Sequence, residues 1–168
     1  VDVKKVVVKN SKLYVNREDG FIGTSLRREE YVEDCSDIDD IIVFTSNGDM
    51  IVTKVDSKKF VAKNILYVSV FKKRDSRTIY NMIYKEGKSG VSYIKRFNVT
   101  GVTRDKTYNL TSQNPKTKIL HFSANPNGEA EIVTIQLRQS GSIKKLKWDL
   151  DFADLTIKGR SVKGNIVS

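Results

Sequence analysis

The chain has 168 residues, 39% hydrophobic and 30% charged, with a formal net charge of +10. That length and balance exclude a disordered tail and allow one ordinary domain with a buried core. No apolar run approaches the roughly 18–20 residues that span a bilayer, and a single cysteine, Cys35, excludes an internal disulfide and fits a reducing cytoplasm.

The charge is unevenly laid. Residues 1–60 hold 10 Lys and Arg against 12 Asp and Glu, whereas residues 61–168 hold 20 against 8. A basic excess confined to one part of a chain suits a surface that meets a polyanion, nucleic acid first among them.

In chain order the periodicity is that of strands. Val1-Asp2-Val3-Lys4-Lys5 runs into a strand-like segment with no signal-peptide pattern. Residues Lys12–Gly23 read as strand, turn at Asp19-Gly20, strand. Arg27–Tyr31 suits one helical turn, and within the acidic stretch from Glu29 to Asp40 the group Asp34, Asp37, Asp39 and Asp40 reads as a solvated loop joining two strands. Ile41–Thr53 repeats the hairpin with Asn47-Gly48 at its bend, and Thr78–Tyr84 with Val91–Phe97 repeats it around Gly87 and Gly90. A fourth copy is predicted from Lys118–Phe122, a turn at Pro126-Asn127-Gly128, and Ile132–Leu137. The turn glycines 20, 48, 90 and 128 are 28, 42 and 38 residues apart, a propeller-like spacing. The expectation is one all-β domain over 1–168. The absence of an initial Met and the strand-like ending Asn165–Ser168 mark it as a segment of a longer polypeptide.

Catalytic readings are weak. His121 is the sole histidine and sits in an alternating strand, where it reads as a packed or surface residue. Cys35 lies among acidic residues, which raise a thiol pKa and blunt it. Gly87-Lys88-Ser89 lacks the earlier glycine of a phosphate loop, since Met82 stands there, and a strand rather than a helix follows. Asp34, Asp37, Asp39 and Asp40 could hold a divalent cation or serve a hydrolase, but they lack the glycine and closing glutamate of a calcium loop. The aromatics Tyr67, Phe71, Tyr80, Tyr84, Tyr93 and Phe97 alternate with polar residues and read as core rather than a base-stacking platform.

The basic clusters are the stronger signal: Lys72-Lys73-Arg74 with Arg77, Lys95-Arg96, Arg104 with Lys106, Lys116 with Lys118, Lys144-Lys145 with Lys147, and Lys158-Arg160-Lys163. Cations so grouped suit phosphate contact, with affinity that falls steeply with salt and little base specificity.

Three segments resemble a known family. Asp40-Ile41-Ile42-Val43-Phe44-Thr45-Ser46-Asn47-Gly48 resembles the acidic loop, hydrophobic strand and turn repeated in the C-terminal domain of bacterial type IIA topoisomerase A subunits. Gly90-Val91-Ser92-Tyr93-Ile94-Lys95-Arg96-Phe97 is similar to that family's glycine, apolar, Lys-Arg strand, and Ile157–Ile166 to its basic Gly-Arg loop. The resemblance runs from about Lys12 to the end.

It implies a β-pinwheel, a propeller-like disc of four-stranded blades that exchange strands, of which this chain would supply about three or four. It further implies binding and bending of duplex DNA, presented to a catalytic core elsewhere in the parent enzyme. On that footing Lys95, Arg96, Lys158, Arg160 and Lys163 are expected DNA contacts. Lys72, Lys73, Arg74, Arg77, Arg104, Lys144, Lys145 and Lys147 join them on charge alone. The gyrase-specific glutamine-arginine-arginine-glycine box is absent, and loops between Arg96 and Lys118 are long. Both favour the topoisomerase IV branch.

No tyrosine is flanked by arginine, so no DNA cleavage is expected of this segment. It would hold no cofactor, while Mg2+ and ATP serve the parent enzyme. Its partners would be double-stranded DNA, the remainder of its own polypeptide and the ATPase B subunit, in the cytoplasm. The rival reading is a β-propeller interaction scaffold with no nucleic-acid role.

Overall fold

The computed structural model describes residues 11–72, 78–111, 116–125, 131–136, 147–155, 157–159 and 164–166. These residues are all-β, with no α-helix among them and one 3-10 turn at Phe152–Asp154. The strands are β1 (Ser11–Asn16), β2 (Phe21–Gly23), β3 (Glu30–Cys35), β4 (Asp40–Thr45), β5 (Asp49–Lys54), β6 (Lys59–Phe60), β7 (Ile65–Phe71) and β8 (Ile79–Lys85). They continue as β9 (Ser92–Asn98), β10 (Thr107–Asn109), β11 (Lys118–Asn125), β12 (Ile132–Gln136), β13 (Lys147–Asp151), β14 (Ile157–Gly159) and β15 (Asn165–Ile166).

The described strands form four sheets, ordered β3-β1-β2-β6, β10-β5-β4-β7, β11-β8-β9-β14 and β12-β13, with β15 also paired to β9. None closes on itself. One rule generates the first three. A hairpin forms the centre, the next long strand (β3, β7 or β11) flanks its first member, and the strand flanking its second member comes from beyond the next hairpin. Thus β6 leaves the second unit to pair with β2, β10 leaves the third to pair with β5, and β14 leaves the fourth to pair with β9. Pairing among the described strands is antiparallel except β14 with β9, which is parallel.

Local chemistry explains the hairpins. Gly20 and Gly48 hold φ of +85° and +90°, left-handed angles that a side chain resists. A Cβ on Gly20 would also lie 2.3 Å from the Ala62 carbonyl oxygen, so the turn is pressed against its neighbour.

Pleating explains the stacking. Side chains on a strand alternate between faces, so the continuous apolar run of β4 serves both neighbours. Ile41 and Val43 pack with Leu13, Val15, Ile22 and Cys35 of the first sheet. Ile42 and Phe44 pack with Tyr80, Met82, Tyr84, Tyr93 and Phe97 of the third. Phe44 lies 4.9 Å from Tyr80 and 4.6 Å from Phe122 between ring centroids. The aromatics predicted as core are therefore core, with Tyr67 packed at its margin. A smaller cluster of Ile83, Ile94 and Phe152 joins the third sheet to the fourth.

Three expectations are corrected. The acidic group read as a loop is one only at Asp37 and Asp39: Asp34 lies in β3 opposite Lys12 and Asp40 opens β4, since an exposed strand face accepts charged side chains. The fourth hairpin is not β11 with β12: β11 pairs with β8, and β12 pairs with β13. A turn signal marks where a chain bends, not which strand it bends towards, and the apolar residues Ile119, Phe122 and Ala124 of β11 fit the core between the second and third sheets. The helical turn expected at Arg27–Tyr31 reduces to one hydrogen-bonded turn, Glu29 N to Leu26 O at 3.0 Å, after which β3 starts at Glu30.

Candidate nucleic-acid interface

The exchanged strands lie at the edges of the first three sheets, and basic residues recur beside them: Lys58 and Lys59 at β6, Arg104 and Lys106 at β10, and Lys158 within β14. Two of these cations are committed to carboxylates. The Lys59 ammonium donates to Asp105 at 2.6 Å and to the Thr53 hydroxyl at 2.6 Å. Together Lys59 and Thr53 hold the Asp105 carboxyl below its ordinary range. Arg104 Nε lies 2.8 Å from Asp40, whose side chain is largely buried.

Lys58 and Lys106 differ. Each is exposed, and its ammonium stands over an aromatic ring of the same edge, Phe21 at 4.8 Å and Tyr108 at 5.2 Å. Among the described residues neither has a carboxylate within ion-pair distance. The ring orients the side chain through its quadrupole and leaves the charge facing water.

The expected contacts are scattered by the fold. Lys72 is exposed just beyond β7. Lys147 opposes Gln136 in the β12–β13 ladder, and Lys158 opposes Phe97 in the β9–β14 ladder. Lys73, Arg74, Arg77, Lys144, Lys145, Arg160 and Lys163 lie outside the described residues.

Lys95 must be withdrawn from the set. It is 4% exposed, opposes Met82 across β8–β9, and donates from its ammonium to the Leu110 carbonyl just beyond β10. Its ammonium also lies 4.8 Å from the Phe97 ring. Burial pushes its pKa down to about 7. The reason is the pleat: neighbours on a strand face opposite ways, so Lys95 and Arg96 cannot both serve one surface. Arg96 takes the other face, half-buried, opposite Asn81 and Ile157.

That second face carries a polar cluster. Burial alone would raise the Glu131 carboxyl, but hydrogen bonds from His121, Ser123 and Asn81 outweigh it and hold the group below its usual range. His121 thus packs against Glu131 at 2.8 Å. The acidic stretch is likewise occupied in structure: Asp39 accepts from the Ser36 N–H, Asp34 from the Tyr31 hydroxyl and Glu30 from Arg17.

Sequence reasoning misses Lys58 because the acidic surplus of residues 1–60 masks it. Its signal is positional, since it precedes an exchanged strand as Lys106 does.

The described residues thus form an all-β array of small sheets that exchange edge strands, with basic residues beside successive exchanged edges. A family model described as topoisomerase C-terminal domain, Bacteroidota, matches residues 12–168. The chain belongs to that family, as a C-terminal domain from the A-type polypeptide of a bacterial type IIA topoisomerase. It is 32% identical over 126 residues to the A subunit of DNA topoisomerase 4 from Borreliella burgdorferi, an alignment covering 74% of this chain and 20% of that protein. The chain thus matches about a fifth of the length of that relative. No solved structure matches it.

Proposed function

We propose that this chain is the DNA-binding and DNA-bending part of a type IIA topoisomerase, of the topoisomerase IV branch, and that its sheets are blades of a β-pinwheel. The observation that carries the reading is the pair Lys58 and Lys106, unpaired with carboxylate among the described residues and repeated at the exchanged edge of successive sheets. Such a row replaces condensed counterions along a duplex and holds it across several sheets, which favours a bent path. Lys72, Lys147 and Lys158 belong to the proposed set on charge, as do Lys73, Arg74, Arg77, Lys144, Lys145, Arg160 and Lys163, which lie outside the described residues. Arg96 and Arg104 contribute less, being half-buried and carboxylate-bound respectively. No recognition helix is present among the described residues, so binding is tolerant of sequence.

The segment presents duplex DNA to the catalytic part of its own polypeptide, while the ATPase partner, ATP and Mg2+ act elsewhere in the enzyme. The test is titration of a fluorescent duplex of about 40 base pairs, a span that covers several phosphate contacts, at several salt concentrations. Lys58→Glu/Lys106→Glu and Lys158→Glu/Arg160→Glu should both weaken binding and flatten its salt dependence. Failure of the unaltered chain to bind at low salt overturns the reading and leaves the interaction scaffold in its place.

A further inference from the structure

Lys59 and Asp105 join the exchanged edges of two successive sheets. The first sheet ends on β6, two residues long, and the second on β10, three residues long. Two register pairs hold β6 to β2 and three hold β10 to β5, so ladder pairing alone fixes these edges weakly. Lys59 opposes Ile22, which packs towards the second sheet, and therefore points there too. Its ammonium reaches the Thr53 hydroxyl of β5 and the Asp105 carboxylate, each at 2.6 Å. The Thr53 hydroxyl donates to the same carboxylate at 2.8 Å. The two charged side chains are 33% and 58% exposed, and a lone pair in that setting adds little. This pair is anchored. Thr53 is buried, and the Asp105 N–H donates to the Val52 carbonyl at 2.8 Å from a left-handed backbone, φ +61°, which persists only where the surroundings hold it.

The position recurs. Carried two residues past the β10–β5 ladder, the register sets Asp105 opposite Thr53. Carried one residue past the β15–β9 ladder, it sets Gly164, at φ +101°, opposite Lys95. Thr53 and Lys95 thus hold the same place in successive sheets. Each meets the exchanged segment of the sheet before it, Thr53 at Lys59 and Lys95 at the Leu110 carbonyl. Of these two ties, the second is buried in the core and the first lies at the solvent edge.

The edge tie stands between Lys58 and Lys106, the chain neighbours of Lys59 and Asp105. Alternation turns Lys58 away from the second sheet, over Phe21. Lys106 lies by Tyr108, whose ring packs against the core on the far side of the second sheet. We infer that the Lys59–Asp105 bridge is a spacer that fixes the separation of Lys58 and Lys106. It thereby favours duplex DNA, whose phosphates stand at regular intervals, over a single strand, which adapts to any spacing. This assignment rests on the DNA-binding reading above. Lys59 and Asp105 are positioning residues, their ammonium and carboxylate occupied by each other. A pair of cations already held apart leaves less to be ordered when the duplex binds.

Two variants of unchanged net charge test the spacer. Lys59→Gln/Asp105→Asn removes the bridge, and Lys59→Arg keeps it. Without DNA, spin labels on Lys58→Cys and Lys106→Cys should give a narrow distance distribution that broadens when the bridge is removed. Cys35 is buried and stays unlabelled. With DNA, removing the bridge should weaken duplex binding by about threefold to tenfold, the ordering of one or two side chains. Affinity for a single strand of the same length should not change, and Lys59→Arg should bind duplex as the unaltered chain does. Thermal melting confirms that each variant folds. Equal duplex affinity with and without the bridge overturns the spacer and leaves the DNA-binding reading standing. Label distances indifferent to the bridge, or duplex and single-strand affinities that fall together, do the same. An unaltered chain that binds no duplex at low salt overturns the DNA-binding reading itself, and the spacer's preference for duplex with it.

Discussion

Lys95 and Met82 oppose each other across the β8–β9 ladder, so a lysine ammonium occupies the pleat of the apolar core between the second and third sheets. Its hydrogen bond to the Leu110 carbonyl reaches the neighbouring sheet, which makes it a tie between sheets rather than a charge offered to solvent.

Stability should therefore rise with pH over the window set by Lys95. Below about 7 both folded and unfolded chains hold the proton, and the folded state bears the whole cost of the buried charge. Between about 7 and the ordinary value of 10.5 the folded state sheds the proton first, so folding is favoured as pH rises. Urea unfolding at pH 6 and pH 9 should show the difference. Lys95→Met should flatten it and gain on the order of 1–3 kcal/mol at pH 6, with duplex affinity unchanged.

Arg104 serves Asp40 before it serves a ligand. Arg104→Ala should lower stability by about 1 kcal/mol or less, as expected for a pair with an exposed partner. A double-mutant cycle with Asp40→Asn isolates that coupling. Lys106→Ala should cost more duplex affinity than Arg104→Ala, and a larger loss for Arg104 would contradict the division of labour between them.

Glu131 should titrate the junction between the third and fourth sheets. Its carboxyl is held low in the folded chain, so its contribution is present above the ordinary value of 4.5 and lost as pH falls through the folded value. Amide protection factors at Asn81 and Ser123 should fall on acidification while that at Ile42 stays high. Glu131→Gln should remove that pH dependence.

Phe44→Ala should be among the most damaging core changes. Its ring touches Tyr67, Tyr80 and Phe122 from two different sheets, so the cavity cannot collapse from one side. A loss of about 3–5 kcal/mol is expected by chemical denaturation.

How much is legible in the sequence follows from range. Asp19-Gly20, Asn47-Gly48 and Gly90 encode their hairpins locally, and β1–β2, β4–β5 and β8–β9 form as the spacing predicts. Alternation also identifies Tyr80, Tyr84 and Phe97 as core. The family resemblance implies strand exchange but periodicity does not reveal it, because β6, β10 and β14 are two or three residues long and show no period of their own. Their pairing is decided by partners far along the chain. For the site, Lys95 and Arg96 look like one cluster because sequence adjacency hides the pleat that separates them. Lys58 escapes notice for the opposite reason, as one cation in an acidic neighbourhood.

Strand exchange also sets the step by which such a chain can grow or shrink. Excising β8 through β11 as a block brings the β12–β13 hairpin next to the second sheet and supplies β14 where β10 had been. The first and second sheets then each keep a donor. A shorter excision, such as β10 alone, strips the second sheet of its edge while leaving the third intact. Insertions and deletions that preserve pairing therefore come in whole periods, wherever in the period the cut falls, and domain length in descendants of this architecture should change by whole sheets and not by single strands.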